Sequence, residues 1–445
     1  MARNRRNRRR IPEEPVLLSI ESLSHEGRGV AHRNGKAVLV HGALPGEVVQ
    51  ARMVARYSEY ESAEAIAVIE AAGDRVDPLC LHADRCGGCS LQHMEPMAQI
   101  AAKQQIMLEQ LKRIGKIEPQ HVFEPLTAQV WGYRRKARLG VRHVAKKGRV
   151  LVGFRERNSN YVAELNRCEV LDPRVGTRLL DLSSLVGQLT LIDRIPQIEV
   201  AVGDNAVALV FRSLDQPTAE DCELLKAFGR RYDMQIYLQP AGPDSLLPLW
   251  PECPELDYRL ETHDVRLQFL PTDFTQVNTS LNQKMVDRAL ELLEPAPGDR
   301  ILDLFCGLGN FTLPLARSVA GKVVGIEGDA QLIARARDNA RLNGIANAEF
   351  QVADLTATLA HVDWLHAPYD RLLIDPPRVG ALEVLRHIPR IAAPRIVYVS
   401  CNPATLARDA GLLVQEHGYR LTGAGVMDMF PHTAHVESIA VFDRG

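Results

Sequence analysis

The chain has 445 residues, 46% of them hydrophobic and 24% charged, with a formal net charge of −2. This is the composition of a soluble globular protein of roughly two to four domains, and no apolar run is long enough to span a bilayer, so membrane insertion is not expected. Eight cysteines without an export signal do not read as a disulfide framework; in a reducing, cytoplasmic setting clustered thiols serve as metal ligands or catalytic groups.

The opening MARNRRNRRR holds six arginines and is not followed by the apolar core and cleavage site of a signal peptide. Removing those six charges from the formal −2 leaves −8 for the rest, so the basicity is local. Residues 1–14 are expected to be a disordered polycationic arm that grips phosphate. Over residues 15–73, short strand-like runs alternate with tight turns, Asn34-Gly35 among them. That pattern predicts a small β-barrel, an architecture often used as a nucleic-acid platform.

A loop, DPLCLHADRCGGCSLQHM, brings Cys80, Cys86 and Cys89. It is followed near 97–115 by a helix whose apolar face holds Ile100, Leu108, Leu111 and Ile114 and is expected to pack on the C-terminal domain. Residues 74–270 read as a central, β-rich unit. Its run YRRKARLGVRHVAKKGR carries eight Lys or Arg in seventeen residues; with the arm and the barrel it points to an RNA-facing surface. Cys168, in LNRCEV, completes a candidate four-thiolate site, for which spacing alone leaves zinc and an iron–sulfur cluster both open.

From 271 to 445 helices alternate with apolar strands, beginning with an amphipathic helix near Ser280. Such alternation argues for a doubly wound parallel sheet covered on both faces, with ligands at the carboxyl ends of its strands. In LDLFCGLGNF, Gly307 and Gly309 allow a sharp turn after a strand, and Glu327 ends the next strand, where an acid can hold both hydroxyls of a ribose. The pattern serves NAD and S-adenosylmethionine (SAM) alike. Thr312 standing where a third glycine would be, and Asp354 and Asp375 at strand ends, favour SAM, although either acid taken alone also suits a cap or a turn.

The stretch IVYVSCNPATLARD ends an apolar strand on Cys401. A lone cysteine is ordinarily core packing, but beside a methyl donor it has a chemical use. Carbon 5 of uracil is too electron-poor to attack a methyl group; a thiolate adding to carbon 6 gives carbon 5 carbanion character, and a base must afterwards remove the carbon 5 proton. Glu437, just before the apolar IAVF, is the candidate base, its pKa raised in a partly dry site. His432 and His435 in the preceding Pro-containing loop are expected to be structural and not metal ligands, and Cys222, Cys253 and Cys306 to be packing residues.

Together SCNPATLARD, DMFPHTAHVES, DFTQVN, DLFCGLGNF and DPPR resemble the RNA uracil-5 methyltransferase family. The resemblance implies Cys401 as nucleophile and Glu437 as base. It also implies that Gln276, Phe305, Asn310, Glu327, Asp354 and Asp375 surround SAM, with Gln276 and Asp375 also near the target base. The words GRGVAHRNGKAVLVHGALPGE resemble a TRAM domain, an RNA-binding module. For Cys80, Cys86, Cys89 and Cys168 the family implies a [4Fe-4S] cluster, expected to be structural because methylation by SAM needs no electrons.

A chain with both barrel and cluster resembles the family branch that methylates 23S ribosomal RNA, with the target uridine flipped out of its fold. The implied fold is α/β: a C-terminal Rossmann-like SAM-dependent methyltransferase domain, an N-terminal TRAM/OB-like barrel and a central β-rich iron–sulfur domain, acting as a cytoplasmic monomer. Other readings remain. An RNA-binding assembly factor with an inert methylase fold, or methylation of a different RNA, would keep these motifs. Cytosine-5 chemistry would require a second cysteine in the DPPR position, radical-SAM chemistry a different cysteine spacing, and an NAD-linked oxidoreductase would leave Cys401 and Glu437 unexplained.

Overall fold

The computed structural model describes residues 14–444 apart from 319, 320, 358, 360 and 361; the basic arm expected at 1–14 lies almost wholly outside the described residues. Six short strands between Val16 and Glu70 form one sheet around an apolar cluster that includes Leu18, Val38, Val40 and Val49. The expected hairpin turn is present. Asn34 and Gly35, both at positive φ, join Gly29–Arg33 to Lys36–His41, with Arg33 paired to Lys36.

The central unit holds a second six-stranded sheet, from Arg149–Gly153 and Lys136–Val144 across to Leu247–Trp250. It is less purely β than the sequence suggests. Helix Leu179–Gln188 buries Leu179, Leu182, Leu185 and Val186, and helix Ala219–Tyr232 buries Leu225 and Phe228, in the core that also holds Leu209 and Phe211 of the sheet. The second helix makes the right-length crossover between two parallel strands, Val207–Arg212 and Met234–Gln239.

The C-terminal unit is an eight-stranded sheet. Strands Ala348–Val352, Val323–Glu327, Ile301–Leu304, Arg371–Ile374 and Arg395–Ser400 lie parallel in that spatial order; Glu437–Arg444 then pairs antiparallel with Arg395–Ser400. Because side chains alternate across a strand, Ile301 and Val323 enter one core with helix Thr279–Leu293. Leu302 and Val324 enter the opposite core with helix Pro403–Gln415.

Two pieces from earlier in the chain complete this unit. Helix Pro96–Gln110 adds Ile100 and Met107 to the second core, where Leu111 is also buried, while Ile114 of the expected apolar face is exposed, and Gly115 just beyond lies so close to helix Pro403–Gln415 that a Cβ there would meet the Ala407 carbonyl oxygen at 2.6 Å. The hairpin Asp257–Leu260/Val265–Gln268, inside the expected central unit, buries Tyr258, Leu260, Val265 and Leu267 in the first core. Among the described residues no helix is long and apolar enough to cross a membrane.

Candidate active site

Cys401 is the first residue past strand Arg395–Ser400, and Glu437 opens the antiparallel neighbour. The register pairs Ser400 with Ser438, so one further step sets Cys401 opposite Glu437, where facing residues lie about 5 Å apart between Cα atoms. The residues that follow explain the turn. Asn402 caps helix Pro403–Gln415, its side chain accepting the Ala404 N–H at 3.1 Å, and Pro403 occupies the first turn, where no N–H is required. The Asn402 amide also donates to the Arg378 carbonyl (3.1 Å), which ties the SCNP turn to the DPPR turn.

A cavity of about 520 Å³ opens at these strand ends, and Gln276, Phe305, Asn310, Glu327, Asp375, Cys401 and Glu437 all line it. The DFTQVN segment is anchored at both ends: Asp273 pairs with Arg335 at 2.6 Å, and Asn278 caps helix Thr279–Leu293. Phe305 has φ +64°, a costly conformation for a non-glycine residue. Gly309 has φ +100°, and a Cβ there would press on Leu313 at 3.0 Å. The Glu327 carboxylate bridges two strand ends, accepting from the Gly307 N–H (3.2 Å) and the Asp329 N–H (3.1 Å). Asp354 alone of the expected set does not line the cavity. It is exposed and bonds to its own turn through the Thr356 N–H and hydroxyl, which is the turn-forming role its residue type also suits.

Three groups in or under this cavity carry no special mark in the sequence. Tyr258, from the hairpin, donates to Asn310 Oδ1 (2.9 Å), and Asn282 and Asn310 exchange a reciprocal amide pair at 2.9 and 3.0 Å. These bonds saturate Asn310 Oδ1 and leave one amide hydrogen for a ligand acceptor. Asp303, buried below the glycine turn, accepts from the Thr312 hydroxyl at 2.5 Å, and burial raises it to about 7.

Electrostatics set the resting state. Burial, with the Asp375 carboxylate adding, raises Glu437 to about 8 against the pull of Arg378; burial raises Asp375 to about 7. The Cys401 thiol is raised to about 11 by burial and then by the Glu437 and Asp375 carboxylates, while Arg378 opposes. At neutral pH these shifts keep the Cys401 thiol protonated and Glu437 mostly neutral, with Asp375 near its midpoint. A cationic ligand here would stabilise both carboxylates and the thiolate.

A second groove, also about 520 Å³, is lined by Cys401 as well. Its walls come from every unit of the chain: His25 and Glu26 of the barrel, Gly87 and Gly88 of the cysteine loop, Arg134 of the central unit, and Arg378, Asn402 and His435 of the C-terminal unit. His435, expected to be merely structural, lines both cavities and accepts from Arg378 at 3.3 Å. The basic run divides: Arg134 reaches the groove, Arg135 and Arg138 pair with Asp204 and Glu199, and Lys136 turns inward to the Pro271 carbonyl.

Cys80, Cys86, Cys89 and Cys168 line one small cavity walled by Phe154 and Leu165, and none is in a disulfide. Burial raises all four thiols, Cys89 to about 12 and Cys168 to about 11. An all-sulfur donor set around an apolar space fits a soft-metal centre. Among the described residues no three His, Cys, Asp or Glu side chains are drawn together for a single metal ion; the thiols share a cavity and not a point. Cys306 is core, as expected, but Cys253 is exposed, lying in the loop after Trp250 where nothing covers it.

Residues 97–444 match the family model described as tRNA (uracil-5-)-methyltransferase, and residues 14–66 match that of the TRAM domain. The chain is 54% identical over 440 residues to a 23S rRNA (uracil(1939)-C(5))-methyltransferase RlmD of Alkalilimnicola ehrlichii, with 99% of each chain covered. It is 51% identical to the protein of the same description from Methylococcus capsulatus, covering 99% of this chain and all of that one. Among solved structures it resembles the Pyrococcus abyssi tRNA (uracil-54, C5)-methyltransferase in complex with S-adenosyl-L-homocysteine. That match has a TM-score of 0.73 at 25% identity and covers 96% of this chain and 99% of that one.

Proposed function

The chain belongs to the tRNA (uracil-5-)-methyltransferase family, and from that premise we propose that it is a cytoplasmic, monomeric, SAM-dependent methyltransferase acting on carbon 5 of a uridine in 23S ribosomal RNA. The observation that carries this reading is the convergence of two cavities on Cys401. One is lined by the glycine turn and by Glu327 and suits SAM; the other is built from the barrel and central unit and suits RNA. The likeness to 23S rRNA enzymes along the whole chain supports the choice of RNA.

SAM, when bound, supplies an electrophilic methyl group. Gln276, Phe305, Asn310, Glu327 and Asp375 would hold it. Gln276 and Asp375 also face the target base. Cys401 is poised at a helix N-terminus, which favours a thiolate, and Arg378 acts in the same direction. The Cys401 sulfur bonds to carbon 6 of a flipped uracil; carbon 5 takes the methyl group, leaving S-adenosylhomocysteine. Glu437, opposite Cys401, then accepts the carbon 5 proton, the C5–C6 double bond re-forms, and the carbon–sulfur bond breaks to return the thiolate.

Cys80, Cys86, Cys89 and Cys168 would hold a [4Fe-4S] cluster whose role is to fasten the cysteine loop to the central unit; their common cavity supports this. The test is methyl transfer from labelled SAM to unmodified 23S RNA and to unmodified tRNA, with the product mapped by mass. Label in one 23S uridine is expected; label in tRNA alone, or in no RNA, would overturn the assignment.

A further inference from the structure

The loop Asp428–Val436 lies between strand Tyr419–Met427 and the strand that Glu437 begins. Phe430 and His435 of this loop line the donor cavity. Much of what holds the loop comes from far earlier in the chain, from the segment that follows Cys89. The backbone N–H groups of Ser90 and Leu91 both donate to the His432 carbonyl, at 2.8 and 3.0 Å, and the Ser90 hydroxyl accepts the Ala434 N–H at 3.1 Å.

Gln99, wholly buried, works in both directions. Its Oε1 accepts the His432 N–H (2.8 Å), while its Nε2 donates to the carbonyls of Leu91 (3.0 Å) and Met94 (2.7 Å). One helical turn on, Lys103 donates to Asp428 Oδ1 (2.7 Å) and to the Phe430 carbonyl (3.0 Å), inside a pair whose side chains are each 2% exposed. Trp131 stacks on the His432 ring with centroids 3.9 Å apart. His432 meanwhile has φ +64°, a conformation non-glycine residues keep where their surroundings enforce it.

We propose that the segment Ser90–Lys103 is a strut that fixes Glu437 against Cys401, with Ser90, Gln99 and Lys103 as positioning residues for proton removal. This rests on Glu437 being the base. Glu437 shares the sheet with Cys401 and pairs with Met427, but it is the first residue of its strand and directly follows the strutted loop, whereas Cys401 is held besides by the Asn402–Arg378 bond. A weakened strut therefore spares addition and methyl transfer and impairs the last step. Carbon 5 then carries both its proton and the new methyl group, carbon 6 stays bonded to sulfur, and a methylated RNA–protein adduct accumulates.

Gln99→Leu keeps the side chain's bulk and removes its polar contacts; Ser90→Ala removes one hydroxyl. Each is incubated with unmodified 23S RNA and labelled SAM, and label is counted in free RNA and in the denaturation-resistant adduct, alongside S-adenosylhomocysteine affinity. For Gln99→Leu we expect turnover to fall by about tenfold, label to shift from free RNA into adduct, and ligand affinity to hold; Ser90→Ala shifts the same way by less. If Gln99→Leu does not fold, Ser90→Ala decides. Free product and adduct falling in parallel, or unchanged turnover in folded variants, would overturn the strut. Absence of label transfer by the parent chain would instead overturn the function it rests on.

Discussion

Glu437→Gln removes a titrating group whose effect on stability follows from its place in the fold. The side chain is 4% exposed, and burial, with Asp375 adding, raises its carboxyl from 4.5 to about 8. Between those values the folded protein keeps a proton that the unfolded chain has released, so the folded state binds more protons. Stability is then full below pH 4.5, falls by about 1.4 kcal/mol per pH unit as pH rises, and levels off above about 8. Glutamine has the same shape and no such slope. Relative to the parent, Glu437→Gln should gain about 3 kcal/mol by pH 7 and up to about 5 kcal/mol by pH 9. Urea unfolding of both chains across that range, followed by far-UV ellipticity, reads the difference directly. Curves that stay parallel from about pH 5 to pH 9 would refute the buried, proton-holding state of this carboxyl. The same variant should lose turnover while still forming the methylated adduct.

Tyr258→Phe removes the hydroxyl bonded to Asn310; S-adenosylhomocysteine affinity by calorimetry should weaken by about three- to tenfold, and an unchanged affinity would separate Asn310 from the ligand. Cys89→Ser or Cys168→Ser, purified anaerobically, should lose bound iron and its broad visible absorption, whereas full iron content in both would deny the cysteines their ligand role. Arg378→Gln withdraws the cation that lowers the Cys401 thiol, so the pH dependence of adduct formation should move to higher pH. An unmoved profile would remove Arg378 from thiolate stabilisation.

Most of the C-terminal unit was legible because its motifs are local. A strand, a glycine turn and an acid ending the next strand are read along the chain, and Asn278 before an amphipathic run marks a helix start. The helices of the central unit were obscured by apolar runs that also suit strands. The signals were nonetheless there: Thr218 and Asp221 form a capping box ahead of helix Ala219–Tyr232, and Leu179, Leu182, Leu185 and Val186 repeat with helical spacing. What sequence could not supply was pairing at a distance. Tyr258 meets Asn310 across 52 positions and Gln99 meets His432 across 333, and neither partner carries a local mark. Asp354 shows the opposite hazard, since a strand-end acid can satisfy its own turn and leave the cavity to others.

The most direct measurement uses RNA in which the target uridine is 5-fluorouridine. Fluorine cannot leave carbon 5 as a proton does, so Glu437 cannot finish the reaction and the carbon–sulfur bond persists. After incubation with SAM and digestion, the peptide containing Cys401 should carry the methylated, fluorinated nucleotide, and Cys401→Ala should give no adduct. An adduct on any other residue, or none from a chain that methylates ordinary RNA under the same conditions, would contradict nucleophilic attack by Cys401.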